Sequence, residues 1–281
     1  MPYSHHSHSG QFCRHATGTL EEIVLEAIRQ GFEVYGLTEH VPRYRQDDLY
    51  PEEVPSLPNV CSLFDSFFSR VQAGLSPDSL IQQFTDFLDE AHRLRVAYAS
   101  QITLLVGLET EFITNKDLEE LSTLLEEHAG RIEYIVGSIH HVNAVPIDFD
   151  HASFERALHT CVVTDAVAEM NATGKSRMDA FLSNYFDAHY RLLERSHPEI
   201  IGHLDLCRLY NPELRFAEFP NTWDKLKRNV KFAIEYGALF EVNAAALRKG
   251  WRTSYPGDDV AAVRGPRLAL FIFYSCPHGC Q

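Results

Sequence analysis

Between Thr19 and Arg29 the apolar side chains fall at Leu20, Ile23, Val24, Ala27 and Ile28, the spacing of a helix with one buried stripe. Thr19, with Glu22 three residues on, forms a capping box at its start, and Gly31 is placed to end it. The stretch EVYGLT from Glu33 to Thr38 reads as a strand running into Glu39 and His40. The unit then recurs. A helical run through Leu80, Ile81, Phe84, Phe87, Leu88, Ala91 and Leu94 precedes ITLLVGLETEF, which delivers Glu109. A second run through Leu118, Leu121, Leu124 and Leu125 precedes IEYIVGSIHH, which delivers His140. From Ser153 to Glu194 the pattern is largely helical, as two helices broken near Thr173 and Gly174, and IIGHLD then delivers His203. A last helix through Trp223, Leu226, Val230, Ala233 and Ile234 leads to ALFEVN at Ala238 to Asn243. Alternating strands and helices predict an α/β fold with a parallel sheet and right-handed crossovers.

Ionisable residues stand at the ends of five strands: His6 with His8, His40, Glu109, His140 and His203. Barrel enzymes collect their chemistry on the C-terminal rim in this way, whereas an open doubly wound sheet concentrates it at one switch point. The pattern favours a closed or nearly closed barrel. One segment breaks the rhythm: Val41 to Pro77 holds Pro42, Pro51, Pro55, Pro58 and Pro77 among aromatic residues, which suits an ordered excursion serving as a lid or as a plain surface loop.

Composition narrows the possibilities. The chain has 281 residues, 45% of them apolar, enough to bury roughly three quarters of the unfolded surface in a core. No apolar run approaches the roughly 20 residues that span a bilayer, and MPYSHHSHSG has no signal-peptide pattern, so a cytoplasmic protein is expected. Cys13, Cys61, Cys161, Cys207, Cys276 and Cys280 are too dispersed for a disulfide scaffold and are expected to be mostly reduced and buried. Asp and Glu number 39 against 25 Lys and Arg, for a formal charge of −14, which argues against a nucleic-acid or anionic-membrane surface. Any phosphate must therefore meet a local positive charge, and the 15 histidines point to metal ions as its source.

His6 and His8 lie at i and i+2, so an extended backbone projects both rings to one face, as a metal ligand pair requires; a polar N-terminus or a tag remnant has similar composition. Glu109 follows apolar residues and a glycine, where a carboxylate is costly unless paired or bound to a cation. Glu111 shares its face by alternation and competes for the role. His140 or the adjacent His141, His40 and His203 could each be an ordinary polar residue at a strand end. Imidazoles and a carboxylate converging on one rim fit zinc, manganese or iron.

The motifs HSHS at 6–9, FCRH at 12–15, TEH at 38–40, GLE at 107–109, GSIHH at 137–141, IGHLDLCR at 201–208 and EVNAAALRKG at 241–250 resemble the polymerase and histidinol phosphatase (PHP) superfamily. TEHVPRY, DLYP and LRKGW are similar in particular to its histidinol-phosphatases of histidine biosynthesis. The resemblance runs from residue 1 to about residue 256. It implies a single domain built as a distorted (β/α)7 TIM-like barrel, a trinuclear centre of divalent metals, and hydrolysis of L-histidinol phosphate to L-histidinol and phosphate. Carried over by motif, His6 and His8 hold one metal, Glu109 bridges it to a second held by His140 and His203, and His15 and His40 hold the third. Arg208 and Arg248 match basic positions that contact substrate phosphate.

One part departs from the family pattern. The family closes its site with a DxH motif on the last strand, and no DxH follows Gly250 here; beyond Val263 the chain reads RGPRLALFIFYSCPHGCQ. LALFIFY can still form a buried strand, with Cys276 and His278 standing where the motif's Asp and His stand. Alternatively the tail from 264 to 281 is not homologous. The second alternative is the one favoured here; it leaves two metal sites a ligand short and the barrel incomplete at its last strand, with Glu109, His140 and His203 intact. Competing expectations are then an impaired or inactive metal-binding PHP protein, and a nuclease-type relative, against which the acidic charge counts.

Overall fold

The computed structural model describes residues 3–54, 74–162 and 174–263, and the backbone of 271–274. The remainder of the proline-rich segment, the break near Thr173, and Cys61, Cys276, His278 and Cys280 lie outside the described residues.

Seven parallel strands form one sheet: β1 (Tyr3–Ser4), β2 (Val34–His40), β3 (Thr103–Glu109), β4 (Tyr134–Gly137), β7 (Ile200–Ile201), β8 (Leu239–Asn243) and β9 (Phe271–Tyr274), adjacent in that order. A two-stranded antiparallel hairpin, β5 (His141–Val142) with β6 (Val145–Pro146), stands apart. The sheet curls until Cα atoms of β1 and β9 come within 8 Å of each other, the nearly closed barrel that the strand-end pattern predicts, in the distorted form that the resemblance implies. No ladder joins these two strands among the described residues. The barrel is incomplete at this edge, as expected, although part of LALFIFY does form a strand: β9 pairs with β8 in register from Phe240↔Phe271 to Asn243↔Tyr274.

Helices α1 (Leu20–Arg29), α2 (Pro77–Ala97), α3 (Asn115–Glu127), α4 (His151–His159), α5 (Gly174–Ser196), α6 (Pro220–Tyr236), α7 (Ala245–Arg248) and α8 (Asp258–Ala261) connect the strands. The capping box forms as read from the sequence: the Glu22 N–H donates to Thr19 Oγ1 at 3.2 Å and the Thr19 N–H to Glu22 Oε2 at 2.7 Å. α1 turns Leu20, Ile23, Val24 and Ala27 inward against Phe84, Phe87, Leu88 and Ala91 of α2. Burial of each Leu, Ile or Phe side chain there contributes about 1.5–3 kcal/mol. A second core joins α4, α5 and α6 around Phe154, Phe181, Phe186 and Leu226. The hairpin was not anticipated; its turn residues Asn143 and Ala144 have φ of 51° and 61°, and positive values at both central positions match the primed turns that hairpins favour.

One side chain fixes the segment that carries the first histidines. Tyr134 of β4 passes Gly107 of β3 and Gly36 of β2, and its hydroxyl donates to the His5 carbonyl at 2.7 Å. A Cβ on Gly36 would lie 1.9 Å from the Tyr134 hydroxyl, and one on Gly107 would lie 2.7 Å from its ring. Both glycines are required by this close approach.

Candidate metal centre

His40 ends β2 and Glu109 ends β3, and the two are register partners, so parallel pairing sets both at one level of the rim. His6 and His8 follow β1, His140 follows β4, and His203 follows β7. They meet around one carboxylate. Glu109 Oε1 lies 3.2 Å from His6 Nε2, 3.1 Å from His203 Nε2 and 3.4 Å from His140 Nε2. Its Oε2 lies 3.1 Å from both His8 Nε2 and His40 Nδ1. Glu109 is 1% exposed, so all of this takes place out of bulk water.

Carboxylates behind two of the rings set their tautomers. Glu241 Oε1 lies 2.9 Å from His6 Nδ1, and Glu39 Oε2 lies 3.3 Å from His8 Nδ1. With Nδ1–H donating outward in each case, the Nε2 lone pairs of His6 and His8 point inward, 3.1 Å apart. His140 Nε2 and His203 Nε2 are likewise 3.2 Å apart. Two nitrogens in a tetrahedral zinc shell sit about 3.3 Å apart when each bond is about 2.0 Å. The trios His6, His8, Glu109 and Glu109, His140, His203 therefore fit divalent ions, with Glu109 common to both.

The electrostatics agree. Burial pushes the Glu109 pKa upward, but His6, His140 and His40 outweigh it and hold the carboxyl well below the usual range. Burial lowers the His6 pKa, yet Glu109 and Glu241 raise it to about 10; His8 rises to about 9 against burial through Glu109 and Glu39. The cluster draws positive charge inward, and a metal ion takes the place of those protons.

The structure also brings His15 and His40 together, with their Nε2 atoms 3.4 Å apart. Cys13 Sγ lies 2.9 Å from His15 Nε2, and Cys13, Cys161 and Cys207 are free and buried. Two further donor groups adjoin the pair: His8, Cys13, His40 and His40, Glu111, His140. Sequence reasoning gave no role to Cys13, Glu39 or Glu241, and left Glu111 only as a competitor. Glu241 in ALFEVN is, like Glu109, an acid inside an apolar strand, and this is the local signal that marks it.

Above the cluster opens a cavity of about 530 Å³, lined by His6, His8, His15, His40, Glu109, His140 and His203 together with Tyr50, Asp148, Phe149, Arg248 and Lys249. Arg248 and Lys249 form no ion pair with a carboxylate among the described residues. Tyr50, Pro51 and Glu52 bring the start of the proline-rich segment over this cavity. Arg208 is placed differently from its expected role at substrate phosphate. It is not among the lining residues, and its guanidinium is buried against Asp205 at 2.6 and 3.0 Å, Asp259 at 2.8 and 3.2 Å, and the Leu214 carbonyl at 2.9 Å. The 3-10 turn Leu206–Arg208 brings Asp205 alongside, a pairing that the local sequence carries but the motif conceals.

The PHP domain pattern matches residues 4–245. The chain belongs to the PHP domain family. A relative in Schizosaccharomyces pombe, named probable histidinol-phosphatase, is 40% identical over 99% of this chain and 82% of its own length. The histidinol-phosphatase of Saccharomyces cerevisiae is 28% identical over 99% and 83%. Among solved structures, a Listeria monocytogenes protein assigned as a histidinol phosphatase superposes with a TM-score of 0.65 at 16% identity, covering 97% of this chain and 92% of that one. A Lactococcus lactis histidinol phosphate phosphatase, solved with zinc, L-histidinol and phosphate, gives 0.54 at 14% identity, covering 97% and 83%. In this PHP chain no helix among the described residues is long and apolar enough to cross a membrane.

Proposed function

We propose that this chain is a metal-dependent histidinol-phosphatase that converts L-histidinol phosphate and water to L-histidinol and inorganic phosphate. The observation that carries the reading is Glu109, buried and shared between two histidine trios at the base of a substrate-sized cavity. The names of the relatives support it. Site residues are assigned as in the family: His6 and His8 for one ion, His140 and His203 for a second with Glu109 between, and His15 and His40 for a third. Zinc, manganese and iron all suit these donors. When bound, such ions supply positive charge to phosphate oxygens and acidify water near neutral pH.

The chain's own residues do the rest. Glu241 and Glu39 hold His6 and His8 by Nδ1 so that each presents Nε2, which fixes the ligand rings within the tolerance catalysis needs. The Glu241 carboxylate also accepts the His203 backbone N–H at 2.9 Å, tying β8 to the β7 loop and setting His6 and His203 by one group. Arg248 and Lys249, free of acidic partners among the described residues, face the cavity and neutralise phosphate as charge builds. Arg208 acts as a positioning residue: through Asp259, and through the Gly257 N–H that donates to Asp205 at 2.8 Å, it ties the β7 loop to the segment after α7. In the reaction, water adds hydroxide to phosphorus, the P–O bond to histidinol breaks, and a proton ends on the alcohol.

The charge of −14 supports a small phosphate monoester rather than nucleic acid as partner, in a cytoplasmic setting. The test is phosphate release from L-histidinol phosphate by purified protein supplied with Mn²⁺ or Zn²⁺, with His8→Ala and Glu109→Ala alongside. Release by wild type and loss in both variants is expected; undiminished turnover in both would overturn the assigned centre. Metals counted per chain separate an active trinuclear enzyme from an inactive metal-binding protein.

A further inference from the structure

The cavity carries both signs of charge, on different segments. Arg248 ends α7, the short helix after β8, and Lys249 caps it, whereas Asp148 and Asp150 follow the β5–β6 hairpin. Asp150 is committed to structure: it caps α4, accepting the Ser153 N–H at 2.6 Å. Glu52, another lining acid, lies 3.2 Å from His15 Nδ1. Asp148 is the acid left over. Its Oδ1 is buried and accepts no hydrogen bond, and a buried carboxylate oxygen without a donor is unfavourable until a ligand supplies one. Its backbone is well held. Ile147, fully buried, donates its N–H to the His140 carbonyl at 2.9 Å, and Asp150 opens α4, so Asp148 stands between a core anchor tied to a metal-ligand residue and a helix cap. Phe149 beside it meets Tyr50 edge-on, with centroids 4.9 Å apart at 90°, and both rings line the same cavity.

Resting on the histidinol-phosphatase reading, we propose that Asp148 receives the ammonium group of L-histidinol phosphate, with the touching rings of Phe149 and Tyr50 as one wall beside the imidazole. The substrate is anionic at its phosphate and cationic at its amine, and the cavity offers a separate group for each. Arg248 and Lys249 take the phosphate together with the metal centre. A charge-assisted hydrogen bond to Asp148 takes the amine, away from the reacting phosphorus. Asp148 is therefore a specificity residue, selecting amino-alcohol phosphates over monoesters without a cation.

The test compares metal-loaded wild type and Asp148→Asn on L-histidinol phosphate and on the analogue that lacks only its amino group. Wild type is expected to lose about tenfold to a hundredfold in kcat/KM when the amine is removed, mostly through KM. Asp148→Asn is expected to lose the same factor on L-histidinol phosphate and under about twofold on the analogue, since amine and carboxylate act as one pair. Asp148→Ala, with metal content and melting temperature measured, repeats the comparison should the amide misfold. Equal loss on both substrates would mean a structural role or an imidazole contact and would overturn the assignment, as would wild-type discrimination below about twofold. Wild type that hydrolyses neither substrate would overturn the proposed function itself, and this assignment with it.

Discussion

Two buried charge clusters flank the loop after β7, one reached through His203 and the other through Arg208, and they are built to opposite specifications. Around Arg208 every guanidinium donor is used. The guanidinium has five N–H donors, and they go to Asp205, Asp259 and the Leu214 carbonyl, while its planar face stacks over Phe216 at 4.8 Å. Around Glu109 the count does not close. Five histidines converge on one carboxylate within 3.4 Å, and the carboxylates behind His6 and His8 turn lone pair towards lone pair. Burial is similar in the two places. A cation whose donors are all met within the protein holds the fold together, whereas a cluster with surplus lone pairs is complete only with cations.

The sharpest way to break this contrast is Glu109→Gln. It removes the charge shared by both trios, and phosphate release from L-histidinol phosphate is expected to fall by about three to four orders of magnitude, with metal content falling alongside. A variant that keeps its metals and its rate would show the Glu109 cluster to be as self-sufficient as the other. Arg208→Met should do the reverse. Leaving Asp205 and Asp259 buried without their cation is expected to cost about 3–5 kcal/mol in denaturant unfolding, while folded molecules still bind metal. If metal affinity dropped and stability did not, the two clusters would have exchanged roles.

Smaller effects follow at the margins. Glu241→Gln keeps a hydrogen bond to His6 but loses the charge behind it, and about tenfold to a hundredfold weaker metal binding is expected by titration. His189 tests a third kind of buried group, one neither paired with charge nor open to a cation. Burial lowers its pKa to about 3, and Asn229 Nδ2 lies 3.3 Å from its Nδ1. Between about pH 3 and 6.5 the unfolded chain binds a proton that the folded chain does not, so stability is complete above that window and is lost as pH falls through it. The slope is about 1.4 kcal/mol per pH unit. Urea unfolding at pH 5.5 and 4.5 should show close to this slope in wild type and a shallower one in His189→Gln; identical slopes would rule out this role for His189.

Much of the architecture was legible because it depends on local spacing. The Thr19–Glu22 capping box, the stripe Leu20, Ile23, Val24 and Ala27, and the arrival of His40 and Glu109 at strand ends all follow from residues within a turn or a strand of one another. Convergence on a rim also followed, since parallel strands in register bring their ends to one level. What stayed hidden depends on contacts between distant residues. Glu241 lies 235 positions from His6, and nothing near either reveals the pairing. Arg208 has the local context of an anion fork, and only the arrival of Asp259 from 51 positions away assigns its guanidinium to the fold. The hairpin at Asn143 and Ala144 lacks the glycine that would have announced its turn, so the element that places Asp148 could not be read ahead of the structure.

The path of Tyr134 past Gly36 and Gly107 to the His5 carbonyl extends the reach of the active centre into positions with no chemistry of their own. A methyl group on either glycine displaces the tyrosine, frees the strand leading to His6 and His8, and dismantles a ligand pair from below. In a survey of inherited variation scored by enzyme output, these two glycines would stand beside Glu109 and the histidines in severity. Two residues without a side chain would thus be among the most informative diagnostic positions in the chain.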